Sequence, residues 1–256
     1  MALTAAIAVP ALALAQGIAV PEGIAPQIIA INPEPGGTAF AMEGGGTSTD
    51  GTGGGASPAP AVAPPAADGA QAQGQFETAH LAALARQSYG ATAINHAQEI
   101  GVNPNATAAI ARAESNFRNV PTANGSTSAT GPWQITSGTW DDTVQRYSLP
   151  YTSGDRTDPE AQAVVGNHVI RQYAAATQNA LGRPATTAET YGSYVFGPSV
   201  GPRLATASPE TALSSIVPAQ SLRNNGMQSW TVGSFNAHAA GRLGAAANQP
   251  ALAPRS

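Results

Sequence analysis

Four times between residues 103 and 210 the chain writes the start of a helix: Asn103-Pro104, Thr157-Asp158-Pro159-Glu160, Thr186-Thr187-Ala188-Glu189 and Ser208-Pro209-Glu210. Each joins a side-chain oxygen that accepts the unpaired N–H groups of a first turn to a proline or glutamate suited to that turn. Apolar residues recur at helical spacing behind these starts, and no stretch alternates convincingly as a strand does. The foldable part is therefore expected to be mainly α.

The periodicity gives the helices their inner faces. It begins near Phe76, with Leu81, Leu84 and Ala85 on one side. Gly90 interrupts it, Ile94, Ala97 and Ile100 resume it, and Gly101 stops it. After Asn103-Pro104, Ala106, Ile110, Ala113 and Phe117 recur at spacings of four, three and four. A short helix is expected from Trp140 to Tyr147, with Asp141 and Asp142 on its solvated side. Ala161, Val164, Val165 and His168 share a face in the next one, which reads His168 as a core or boundary residue rather than a ligand. Ser208-Pro209-Glu210 is expected to open a helix carrying Ala212, Leu213 and Ile216.

The 28 glycines and 21 prolines are densest in the first 75 of the 256 residues. Residues 1–15 are an apolar run closing on Ala13-Leu14-Ala15, which suits a signal-peptidase site, although no Lys or Arg precedes it. Residues 16–75 read as a Gly/Pro/Ala-rich disordered linker, too poor in apolar groups to offset its chain entropy. One domain over 76–236 remains, about 150 to 160 residues and long enough for a real core. Residues 237–256, again Ala-, Gly- and Pro-rich, are expected to be a disordered tail.

Several classes of function are excluded. There is no cysteine, hence no disulfide, thiol catalysis or cysteine-bound metal. His80, His96, His168 and His238 are scattered, without the close pairing of a metal site, so no metal or other cofactor is expected. The net charge is -4 and no basic run stands out, which argues against nucleic acid as a partner.

The stretch that carries chemistry is residues 111–140. Glu114 lies beside the apolar face of its helix, one turn after Ile110. An apolar setting disfavours the charged carboxylate and makes a general acid near neutral pH. Arg118, four residues on, offers the competing reading, a surface ion pair that would lower the pKa. Periodicity alone favours the ion pair.

The order of motifs adds a resemblance. Glu114-Ser115-Asn116-Phe117, then Ser128-Ala129-Thr130-Gly131-Pro132-Trp133-Gln134-Ile135 with Thr139-Trp140, then Ser193-Tyr194-Val195-Phe196-Gly197-Pro198-Ser199, resemble the three motifs of the soluble lytic transglycosylase family, the SLT domain. The resemblance spans roughly residues 76 to 235. It implies a lysozyme-like helical fold acting on peptidoglycan, and cleavage of the β-1,4 bond between N-acetylmuramic acid and N-acetylglucosamine with a 1,6-anhydro end. Glu114 would be the single acid and then base. Ser115, Gly131, Trp133 and Gln134 would bind or line the sugar site, with Trp133 and Trp140 as candidate stacking surfaces, although core packing suits Trp140 better. Tyr194 would hydrogen-bond Glu114, while Tyr191 either assists or is a packed aromatic.

This sequence departs from the family pattern in having Pro132-Trp133 in the second motif and Val195 where an asparagine is common. Two other readings stay open. A hydrolytic muramidase resembling goose-type lysozyme would need a second carboxylate such as Asp155 or Glu160. A non-catalytic peptidoglycan-binding module would need only the groove. The resemblance implies glycan strands of peptidoglycan as partner in the periplasm or cell envelope, reached through the N-terminal signal. An envelope-spanning secretion, conjugation or phage-related assembly is a candidate partner.

Overall fold

The computed structural model describes residues 78–121 and 127–254. The signal at 1–15 and the linker at 16–75 lie outside the described residues. Among those described there are nine α-helices and only isolated β-bridges, so the expectation of a mainly α fold is borne out. The helices are α1 (Ala79–Ala85), α2 (Gly90–Glu99), α3 (Pro104–Ser115), α4 (Ser137–Tyr147), α5 (Pro159–Leu181), α6 (Thr187–Phe196), α7 (Gly201–Thr206), α8 (Ala219–Asn225) and α9 (Val232–Leu243).

Three of the four start signals act as read. Asn103 accepts from the Asn105 N–H with Pro104 in the first turn, and Asp158 caps α5 with Pro159 behind it. Thr186 and Glu189 form a reciprocal capping box on α6. Ser208-Pro209-Glu210 does not open a helix. Its backbone is taken by the start of α9: the Pro209 carbonyl accepts from Gly233, the Thr211 carbonyl from Val232, and Ala212 bridges Thr231. Only a short 3₁₀ turn, Leu213–Ser215, follows.

The long helix α5 is the hub, packed by α2, α4, α6 and α7. Small residues on α5 let its neighbours approach closely: a Cβ added to Gly166 would stand 3.0 Å from Cγ of Trp133. Buried polar groups fix the register where α2, α3 and α5 meet. Thr107 donates to Asn167 at 2.7 Å, and the Asn167 amide donates to the Ala93 carbonyl at 2.8 Å. His168 is buried, as read, stacked on Tyr147 at 4.3 Å and lying 5.1 Å from the His96 ring.

The expected disordered tail at 237–256 is a correction: through residue 254 it is folded. Phe235, Ala239 and Leu243 continue the apolar period of α9 into the core, and Ala246, Ala247 and Ala251 are buried beyond it. The segment that follows crosses the N-terminal ends of two helices. Its Ala247 and Gln249 carbonyls accept from the Ala188 and Thr187 N–H groups at the start of α6, at 3.0 and 2.8 Å. The Ala251 carbonyl accepts from Asn103 N–H at 2.9 Å, while Ala251 N–H donates to Ala185 at 3.0 Å. First-turn N–H groups have no partner within their own helix, so these bonds satisfy donors that burial would otherwise leave unpaired. The folded unit therefore runs well past the expected limit at 236.

Candidate active site

α3 ends where its sequence stops supporting helix. Asn116 and Phe117 both take the left-handed conformation, with φ of 56° and 62°. Asparagine tolerates this conformation better than most residues. The turn leaves Glu114 and Ser115 in the last helical residues, and both are buried. Glu114 is only 2% exposed. Arg118 is exposed and turns its Nε to the Ser115 carbonyl at 3.1 Å. That geometry replaces the surface ion pair that periodicity favoured.

The Glu114 carboxyl has two unlike oxygens. Oε1 accepts from the Tyr191 hydroxyl at 2.7 Å, whereas Oε2 is buried with no hydrogen-bond partner. Burial pushes the carboxyl up to about 7 from its ordinary 4.5, against the opposing pull of the Tyr191 hydroxyl and the Arg242 charge. A buried oxygen without a partner is costly if charged and comfortable if protonated. The site thus holds a carboxylic acid that titrates near neutrality.

The tyrosine assignments change. Tyr194, expected to bond Glu114, donates to the Trp133 carbonyl at 2.6 Å. Tyr191, left between assisting and merely packing, is the direct partner of Glu114. The two rings stack 6.3 Å apart on one face of α6, with Tyr194 set edge-on against Tyr173.

The second motif forms a tight loop closed by paired bonds between Thr130 and Ile135. Gly131 has φ of 79° and Gln134 has φ of 48°. Three successive carbonyls of the loop are held by side chains. Gln134 donates to Gly131 at 2.8 Å, Ser115 to Pro132 at 2.7 Å and Tyr194 to Trp133. Ser115, expected at the sugar site, therefore ties α3 to the loop. Gly131 does permit a close approach, but the group that approaches is the Gln162 side chain of α5, whose Cδ would lie 2.3 Å from an added Cβ. Gln134 is buried, with its amide turned into its own loop.

Trp133 is a further correction. It is 0% exposed, its indole N–H donates to the Thr107 carbonyl at 3.2 Å, and its ring meets Tyr89 edge-on at 5.6 Å. Packed against Gly166 as well, it has no face for a sugar. Trp140 is a core residue, as favoured, with its indole donating to Thr152. The proposed second carboxylates are placed for other work. Asp155 accepts from the Thr152 N–H and hydroxyl at 2.7 and 2.9 Å, and Glu160 is exposed in the first turn of α5. Among the described residues no group of three or more histidine or acidic side chains could hold a metal ion.

Arg242 is the site residue that sequence reasoning missed. It stands in the last turn of α9, and its guanidinium donates to the Ala113 carbonyl, next to Glu114 in the chain. Its charge acts on both Glu114 and Tyr191. The spacing of Val232, Phe235, Ala239 and Leu243 could have shown that a helix continues through this arginine.

Residues 91–203 match the family model described as "Transglycosylase SLT domain". Among solved structures, the chain is similar to an inactive variant of lytic transglycosylase Slt from Pseudomonas aeruginosa, with 18% identity and a TM-score of 0.41. That similarity covers 64% of this chain and 25% of the solved one, so the match spans about a quarter of that protein's length.

Proposed function

With a transglycosylase SLT domain over residues 91–203, we propose that the chain is a peptidoglycan lytic transglycosylase in which Glu114 is the single acid and base. The observation that carries this reading is the Glu114 carboxyl itself. It is buried, oriented by Tyr191 through one oxygen, unpartnered at the other, and titrates at about 7.

A general acid works best with a pKa near the operating pH. Protonated at Oε2, Glu114 gives its proton to the oxygen leaving from C1 of N-acetylmuramic acid. The C6 hydroxyl of the same sugar then bonds to C1 and returns its proton to the Glu114 carboxylate. One glycosidic C–O bond breaks, one intramolecular C–O bond forms, and no water is consumed. Tyr191 donates to Oε1 in both protonation states and holds the carboxyl plane fixed between the two transfers. Ser115, Gln134 and Tyr194 act indirectly, by holding the carbonyls of the 131–133 loop beside the acid. The work site is the cell envelope or periplasm, reached by the signal read at 1–15. The proposed cellular context is local opening of the wall for an envelope-spanning secretion, conjugation or phage-related assembly.

The test is digestion of purified peptidoglycan with the 256-residue chain, followed by mass spectrometry of the soluble fragments. Anhydro-muramyl ends are expected. Reducing ends would instead identify a hydrolase, and no soluble product would identify a binding module. Glu114→Gln keeps the side-chain shape without the acid and should lower turnover at least about a hundredfold. Full activity in that variant would remove Glu114 from the role.

A further inference from the structure

Arg242 reaches the acid from outside the segment that matches the family model. Its helix, α9, is seated by Val232, Phe235, Ala239 and Leu243, all buried. At its end the guanidinium donates to the Ala113 carbonyl, in the last turn of α3. Carbonyls there have no partner in their own helix, and a cation suits the negative end of the helix dipole. The same contact sets a positive charge beside the Glu114 carboxyl and the Tyr191 hydroxyl.

Proton donation turns a neutral, buried acid into a buried anion. Burial opposes that change, so some group must favour the charged form as it develops. The Tyr191 hydroxyl, donating to Oε1, favours the charged form most, and the Arg242 charge is the second group that does so. A guanidinium discriminates by charge. The groups that face Glu114 are Tyr191 and Tyr194 from α6 and Arg242 from α9. His238, one turn before Arg242 and against Trp230, is held below its ordinary pKa by burial and then by Arg242, so it is neutral near pH 7.

We propose that Arg242 is a positioning residue for the reaction: it stabilises the carboxylate that forms on Glu114 as the proton leaves. This rests on the reading of Glu114 as the acid. It makes the C-terminal segment part of the working site rather than a structural appendage. Arg242 acts through Glu114 and its phenol partner Tyr191.

The proposal is tested by following the Glu114 carboxyl by ¹³C NMR from pH 4 to 10 in the full chain without substrate, with Glu114→Gln to assign the signal. The midpoint should lie near 7. In Arg242→Gln it should rise by about one pH unit, as expected for loss of a neighbouring opposite charge. Arg242→Lys should restore it. On peptidoglycan, Arg242→Gln should lower the maximum rate by up to about tenfold and move the alkaline limb upward by the same unit. An unchanged midpoint in Arg242→Gln would mean that Arg242 only caps α3, and would overturn the proposal.

A second measurement needs no variant of Arg242. In the parent protein, the ¹⁵N guanidinium signals of Arg242 should titrate with the Glu114 midpoint, and signals indifferent to it would overturn the proposal even if Arg242→Gln failed to fold. Neither NMR result depends on lytic activity. Failure of the lytic reading would show separately, in the fragment spectrum.

Discussion

Glu114 occupies a place that costs the folded protein stability whenever the side chain is charged. Its folded pKa, about 7, lies above the ordinary 4.5. Between those values the folded state binds the proton more tightly than the unfolded state does. Stability is therefore full below about pH 4.5, falls as the pH rises through this window, and levels off above 7 at a loss of about 3 kcal/mol. Glu114→Gln, permanently neutral, should be more stable than the parent by up to that amount at pH 8 and equal to it at pH 4, as read by urea denaturation. A variant less stable at both pH values would mean that the carboxyl is not desolvated. Sequence pattern marked this residue through its motif but could not choose its partner. Tyr191 and Tyr194 are three apart on α6 and share a face, so spacing cannot say which hydroxyl meets Oε1 and which meets the loop.

At the scale of elements, the helix starts were readable because capping is local chemistry: oxygen, proline and glutamate at fixed offsets suffice. The stretch after Leu243 was not, because backbone bonds to distant helix ends hold it, and Ala and Gly advertise no such partner. Ser208 failed for the converse reason, since a good local start yielded to long-range backbone pairing with α9. The α6–α7 crossing is another contact that sequence does not announce. A Cβ added to Gly201 would stand 2.3 Å from Cα and 2.4 Å from N of Ser193, backbone atoms that cannot step aside. Ser193 is itself fully buried and paired with Thr177 at 3.0 Å. Gly201→Ala should therefore cost about 3 kcal/mol of stability. Thermal unfolding checks this, and a variant as stable as the parent would show that α7 is free to shift.

Across the whole molecule, acid should weaken the fold through His168. Burial, with the His96 and Arg171 charges, lowers it to about 4 from 6.5. An unfolded chain takes up this proton from about pH 6.5 downward, while the folded one resists until about 4. Stability should fall as the pH drops through that window, opposite in sign to the Glu114 effect. His168→Phe, which keeps an aromatic ring for Tyr147 to stack on, should flatten the acid limb of a melting-temperature profile. An unchanged limb would place the acid sensitivity elsewhere.

The segment that crosses α3 and α6 has a geometric consequence. Asn103 N–H and Thr187 N–H are fastened to the same short stretch, at Ala251 and Gln249. Glu114 lies eleven residues along α3 from that fastening and Tyr191 four along α6, arms of about 16 Å and 6 Å at 1.5 Å per residue. The hydroxyl and the carboxyl are thus two pointers on unequal arms, read from a common zero. A small rotation at the zero point is magnified almost threefold at the acid relative to its phenol partner. The alignment of the carboxyl with the hydroxyl is in this way calibrated by Gln249 and Ala251, at the far ends of both helices.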